Sequence, residues 1–334
     1  MSEDVILESV PCPMGCTLSD EVVLVGRDML HSIPGEYAVV KCNCCGLMRT
    51  NPRPTASTIG KYYPDDYGPY LGTAISVSQV RSSFWNRVRA IVRRVFDSRA
   101  QSIPAVPPSN MLEIGCASGA FLQEMALRGW NVEGVEFSEA PAAAARSLGF
   151  RVQAGALEMA EKPLQPVDLV VGWMVLEHLH DPVACLRKLR DWSTDGAMIA
   201  ISVPDAGALE FRLFRSEWYA LQLPGHLYHF TPETLTALLR RGGWEVERVF
   251  HQRSYSNMTM SASYMAKRLG WHRLSGLLQK VSWPAGIWFY IVFPMCWLLA
   301  AVGQTGRMTV WARKRRDNGR GVDGASNDFT DGRL

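Results

Sequence analysis

The chain is short of net charge. Its formal balance is only +3 over 334 residues, so the electrostatic footprint of a dedicated nucleic-acid binder is missing and DNA is not the expected partner. The first ten residues, MSEDVILESV, have no basic region followed by an apolar core. They do not read as a secretory signal, and the expected location is cytoplasmic. At the chain's main strand-turn-helix pattern, MLEIGCASG, the dinucleotide spacing G-x-G-x-x-G is also lacking, and the glycines stand as E-x-G-x-x-x-G. Eight cysteines in a reducing compartment do not make a disulfide framework. With 47% hydrophobic residues, the chain has the composition of a globular protein that can hold one large core plus a small accessory module.

Four cysteines fall in two close pairs, Cys12 and Cys16 in PCPMGC and Cys42 and Cys45 in KCNCCGL, with Cys44 a spare thiol. Two turns presenting two thiolates each, joined by strand-like EVVLVG and EYAVVKC, suit the tetrahedral sulfur site of a structural Zn²⁺. The glycine after Cys45 supplies the tight turn that such a knuckle needs. The arrangement resembles a zinc ribbon, with three residues instead of two inside its first knuckle; a set of buried free thiols is the alternative. A proline-rich linker follows, in which Tyr62, Tyr63 and Tyr67 either pin the linker or line a pocket. Residues 82–99 then place Phe84, Val88, Ile91, Val92 and Val95 at helical spacing among arginines, which predicts an amphipathic basic helix.

After Pro107 and Pro108 the strand-glycine loop-helix unit begins. Gly115 lets the backbone turn, and Gly119 lets a ligand or the next helix come close. Glu136 closes the next strand-like run, WNVEGVE, about 20 residues on, where a carboxylate can accept both ribose hydroxyls of a nucleoside. From here strand and helix patterns alternate regularly, which predicts right-handed crossovers and a parallel sheet.

The loop E-x-G-x-x-x-G resembles motif I of the class I S-adenosylmethionine-dependent methyltransferases. Val175, Leu176, Glu177, His178, Asp181 and Pro182 match a V-L-E-H-x-x-D-P pattern of the same superfamily, closest to its ubiquinone-biosynthesis-like branch. The cysteine knuckle running into NPRPT and YYPDDY is similar to a bacterial methyltransferase family of glycan and nucleotide-sugar pathways, and PGHLYHFT resembles that family's HLxHF(S/T) signature. The resemblance implies an α/β, Rossmann-like class I fold: a seven-stranded, mostly parallel sheet with helices on both faces, plus the N-terminal zinc ribbon. It implies that S-adenosylmethionine lies against Glu113, Gly115, Cys116, Gly119, Glu136, Phe137, Ala156, Leu157, Trp173 and Met174. Cys12, Cys16, Cys42 and Cys45 would hold Zn²⁺. If the acceptor is a hydroxyl, His178, His226 or His229 would serve as base, with His226 the first choice, although each of these histidines could equally order its own loop.

The expected organisation is a ribbon-like module at 1–54, a linker and helix at 55–108, a methyltransferase domain at 109–315 carrying a hydrophobic helical insertion at 251–305, and a disordered tail at 316–334. The expected activity is O-methylation of a small-molecule, glycan or lipid-linked acceptor. Two other readings stand beside it: a non-catalytic adaptor, and a protein or RNA methyltransferase that grips its target with the ribbon. The N-P-P-(Y/F) motif of base methylation does not follow the fourth strand, where WMVLEH stands. Residues 281–306 lack charge and are long enough to cross a bilayer. GRMTVWARK beyond them is needed as the seventh strand, antiparallel at the far side of the sheet, so a single crossing would divide the sheet. A helical lid is expected instead, either over the acceptor pocket or on the cytoplasmic membrane surface through 257–305, where Lys267, Arg268, Arg273 and Lys280 would meet headgroups.

Overall fold

Two thiol-bearing turns, held by short antiparallel strands, form the N-terminal part of the structure, a computed structural model that describes residues 5–17, 19–62, 101–282 and 287–316, the side chains of 287–292 excepted. The expected basic helix at 82–99, Tyr63, Tyr67 and the tail from 317 lie outside the described residues. Strand β1 (Leu7–Glu8) pairs antiparallel with β5 (Arg53–Pro54), while β2 (Asp20–Gly26), β3 (Tyr37–Cys42) and β4 (Met48–Thr50) form a meander. Its apolar residues, Tyr37, Val39, Leu47 and Met48, belong to the main core of the protein and do not form a core of their own.

The large sheet is built from β6 (Asn110–Ile114), β7 (Asn131–Glu136), β8 (Arg151–Ala154), β9 (Val167–Trp173) and β10 (Ser193–Pro204), all parallel. Helices α1 (Ala120–Leu127), α2 (Glu139–Ser147) and α3 (Pro182–Trp192) lie in its crossovers. The central strands are apolar on both faces because each face is covered. Along β9, Leu169 and Val171 join the cluster with Phe121, Leu122 and Met125, while Val170 joins the opposite cluster with Leu186, Leu189 and Trp244; Met198 and Ile199 of β10 divide in the same way. The Asp-Pro pair that ends the histidine motif is a helix start: Asp181 accepts the Ala184 N–H at 2.9 Å, and Pro182 occupies the first turn of α3.

Beyond β10, α4 (Leu209–Phe214) leads to the two-residue strand β11 (Tyr228–His229) and to α5 (Pro232–Arg241), where Thr231 and Thr234 form a reciprocal capping box. Strand β11 does not join the large sheet. It pairs antiparallel with β4, Tyr228 opposite Arg49, and thereby completes the sheet of the cysteine module. Strand β12 (Trp244–His251) is an edge of the large sheet, and β13 (Arg307–Lys314) lies antiparallel between β12 and β10. The seventh strand therefore sits second from the edge, not at the far side, so the segment between β12 and β13 leaves and re-enters at one edge.

That segment folds into α6 (Ser256–Arg268), α7 (His272–Val281) and α8 (Ile287–Ala301), the last interrupted by Pro294. Among the described residues no helix is long and apolar enough to cross a membrane. Small hydroxyl side chains seam α6 to α7, with Ser263 to Ser275 at 2.9 Å and Ser282 to Thr259 at 2.8 Å. Helix α6 also backs the 218–222 turn through Ser261, whose hydroxyl accepts the Tyr219 N–H at 2.8 Å.

Candidate active site and metal centre

The carboxyl ends of parallel strands are where an open α/β sheet leaves a crevice. Here the crevice is a cavity of about 580 Å³ that runs from the glycine loop after β6 to the histidine loops. At one end Gly115 adopts φ +68°, and a Cβ there would stand 2.3 Å from Val175 Cγ2, so only glycine fits. Gly119, at φ +84°, serves helix packing: a Cβ would meet Ala145 at 2.9 Å, and Gly119 does not line the cavity. Cys116 is also turned away. Its sulfur fills the space over Gly134 of β7, so its side chain belongs to the core and does not line the cavity. Glu113 is buried behind the wall, its carboxyl pushed well above the usual range by burial and then by the neighbouring Glu136.

Glu136 ends β7 on the cavity wall. The Ala117 N–H donates to its Oε2 at 2.9 Å and the Ser138 N–H to its Oε1 at 3.0 Å, which orients the carboxylate across the mouth of the glycine loop. Burial raises its pKa, and these backbone amides oppose the rise. Phe137, Ala156, Leu157 and Met159 continue this wall, and Trp173 and Met174 form its floor at the end of β9. Trp173 is held edge-on by Phe121 at 5.3 Å, and Met174 takes φ +59° as the chain leaves the sheet.

The far end of the cavity is lined by His178 and His226. His178 lies in a short turn after β9; its Nδ1 meets the Gly225 carbonyl at 2.9 Å, and burial pulls its pKa down to about 4. The Nδ1 of His226 meets the Ala220 carbonyl at 2.8 Å, and burial, followed by His178 and His229, holds this ring well below the usual histidine range. The two rings sit edge to face with centroids 4.6 Å apart. His229 behaves differently. It does not line the cavity; its Nε2 meets Thr50 Oγ1 of β4 at 3.2 Å, and burial takes its pKa down to about 3. It is a pin between β11 and the cysteine module.

Several lining residues carried no signal in the sequence. Leu30, His31, Ala56 and Ile59 come from the cysteine module and its linker, Tyr219 and Gln222 from the turn backed by α6, and Arg307 from the start of β13. Among the described residues none from 252–305 lines the cavity. Glu177, matched in the histidine motif but given no role there, is fully buried with neither carboxylate oxygen hydrogen-bonded, and burial pushes its pKa up to about 8.

The four cysteines of the two knuckles converge. Cys12, Cys16, Cys42 and Cys45 present sulfurs within 4.8 Å of one another, with Cys12 and Cys45 3.5 Å apart. Tetrahedral Zn–S bonds of about 2.3 Å separate sulfurs by roughly 3.8 Å, so this donor set fits one zinc ion with all four positions filled. Gly15 and Gly46, at φ +75° and +74°, close the two turns, each N–H donating to the carbonyl of the cysteine that opens its knuckle at 3.0 and 2.9 Å.

Parts of the chain are similar to known proteins. Residues 84–249 match the family model described as a methyltransferase domain. A ubiquinone biosynthesis O-methyltransferase from Pseudomonas aeruginosa (strain UCBPP-PA14) is 31% identical over 154 residues, which cover 42% of this chain and 66% of the relative. The corresponding enzyme from Hahella chejuensis is 27% identical over 151 residues, covering 41% of this chain and 63% of that one. The aligned stretch therefore spans less than two thirds of these relatives. Among solved structures, an S-adenosylmethionine-dependent methyltransferase from Mesorhizobium loti superposes with TM-score 0.43 at 16% identity, covering 69% of this chain and 97% of that one.

Proposed function

We infer that this chain, whose residues 84–249 match the methyltransferase-domain family model and whose seven-stranded sheet has the order β12-β13-β10-β9-β6-β7-β8, transfers a methyl group from S-adenosylmethionine to the hydroxyl of a small-molecule acceptor. The observation that carries the reading is Glu136, a carboxylate clamped by two backbone amides on the wall of a cavity that continues to two imidazoles. Glu136 would accept the ribose hydroxyls, Phe137, Ala156 and Leu157 would flank adenine, and Gly115 and Ala117 would follow the methionine portion. Trp173 and Met174 would border the methyl-bearing end. Glu113 and Gly119 support the loop from behind.

S-adenosylmethionine supplies a methyl group already activated on a sulfonium, so what remains for the protein is alignment, exclusion of water and handling of the acceptor proton. The acceptor oxygen would enter between Met174 and the pair His178 and His226. Each of these rings has its Nδ1 turned to a backbone carbonyl, which sets the tautomer so that Nε2 is the lone-pair nitrogen. The acceptor O–H bond would break as its proton passes by way of an Nε2 lone pair to solvent; the O–CH₃ bond would form as the S–CH₃ bond breaks, and the electron pair of that bond would remain on sulfur as a neutral thioether. The four cysteines would hold Zn²⁺ structurally. The acceptor would be a sugar-linked or lipid-linked small molecule.

Peripheral contact with the cytoplasmic membrane surface is supported by the exposed Trp271, Leu274, Leu277, Trp297 and Leu298 on and beside α7 and α8, with the basic residues Lys267 and Arg268 at the end of α6 and Arg273 and Lys280 on α7. Two measurements test the proposed function. Isothermal titration with S-adenosylmethionine should show binding that Glu136→Ala abolishes; no binding to the unaltered protein overturns the reading. Tritium transfer from labelled S-adenosylmethionine into fractionated cell extract should label a small-molecule fraction, and label confined to protein or RNA would favour the other target classes.

A further inference from the structure

A buried carboxylate with no hydrogen-bond donor is costly, and Glu177 is such a group: it is 0% exposed, and both of its oxygens lack a partner. Its own backbone N–H and then the charge of Arg307 offset burial only in part, and it forms no ion pair with Arg307 among the described residues. Beside it stand His178 and His226, and a ligating atom from each of the three side chains lies within 4.8 Å of the other two. The backbone around them is stitched together. The Leu227 N–H donates to the Glu177 carbonyl at 2.8 Å, the His226 N–H to the Gln222 carbonyl at 3.0 Å, and the Thr50 hydroxyl to the His226 carbonyl at 2.7 Å. The Nδ1 bonds to Gly225 and Ala220 fix both rings in the tautomer whose Nε2 can bind a cation, which is the outer support that metal-binding histidines carry.

We propose that Glu177, His178 and His226 form a second metal site, separate from the four-cysteine centre, that binds one divalent cation of the kind favoured by two imidazoles and a carboxylate, such as Zn²⁺, Fe²⁺, Mn²⁺ or Co²⁺. Three protein ligands leave coordination positions open, and His178 and His226 line the cavity, so the open side faces the acceptor. This rests on the methyltransfer reading for its purpose: a cation there lowers the pKa of the acceptor hydroxyl, whose proton is released to solvent before the O–CH₃ bond forms. The charges also close. A dication offsets the Glu177 carboxylate and the acceptor oxyanion.

The test is metal stoichiometry in the full-length, untagged protein produced in cobalt-supplemented medium. Two Co²⁺ per chain are expected, one with the near-ultraviolet charge-transfer band of thiolate ligation and one with visible ligand-field bands only. Glu177→Gln and His226→Asn should each lower the count from two to one and remove only the second signature. One Co²⁺ in the unaltered protein overturns the proposal whether or not the variants fold, as do folded variants that keep two. S-adenosylmethionine binding, measured on the same preparations, separates the two ideas: binding with one metal refutes the second site alone, and two metals without binding refute the methyltransfer reading alone.

Discussion

Replacing Glu210 by Gln should stabilise the protein in alkaline buffer far more than in acidic buffer. Glu210 begins α4, is 1% exposed, and neither of its carboxylate oxygens has a well-aligned donor; the Gly306 backbone and the Trp218 indole beside it offset burial only in part. Its pKa is pushed up from 4.5 to about 7. A raised carboxyl keeps its proton in the folded state after the unfolded chain has lost it, so its contribution is intact below the unfolded pKa and is lost as pH rises through the folded one. The loss amounts to about 3 kcal/mol once both forms are ionised, at roughly 1.4 kcal/mol per pKa unit. Gln keeps the shape, carries no charge and has no such dependence. Its advantage over Glu should therefore grow by about 2 kcal/mol between pH 5.5 and pH 8.5. Urea unfolding followed by tryptophan fluorescence reads this directly. An advantage that stays flat across that range would refute the assignment of a buried, poorly paired carboxyl to this position.

Glu136→Ala should weaken S-adenosylmethionine binding at least ~100-fold by calorimetry, because two hydrogen bonds from ribose to a charged group are lost at about 1.5–3 kcal/mol each. Gly115→Ala should abolish that binding with little change in secondary structure, since a Cβ at φ +68° would collide with Val175. Cys42→Ser should lower the metal content of the purified protein by one ion per chain and lower the melting temperature, and an unchanged metal content would count against the four-cysteine centre. Trp271→Ser combined with Leu274→Ser should reduce flotation with anionic liposomes relative to the unaltered chain; equal failure of both to float would end the membrane proposal.

Local pattern made one wall of the cavity legible. The glycine loop, Glu136, and the Trp173 and Met174 ends of β9 are fixed by strand ends and turn residues close together in the chain, and residues of each line the cavity. Cys116 escaped because its direction depends on a register, Glu113 opposite Gly134, that leaves a vacancy only a neighbouring strand reveals. His226 and His229 are three apart and look equivalent as sequence, yet β11 pairs with β4 and draws His229 toward Thr50. The part of the cavity wall from Leu30, His31, Ala56 and Ile59 is long-range packing with no periodic signature. The place of β13 was likewise hidden, because hydrophobic alternation identifies a strand without saying between which neighbours it is inserted.

The pairing of β4 with β11 bears on how the chain is assembled and inherited. Thr50 and His229, bonded across that seam, are separated by 179 residues, so a cysteine module leaving the ribosome has an open strand edge until the histidine loop has been made. Its sheet closes only when that loop arrives, and the loop gains its pins to Thr50 only from the module. Neither half is a cassette. A recombination event that exchanged the module for another of the same metal chemistry would have to reproduce this edge, or it would leave the histidines of the catalytic half without their frame.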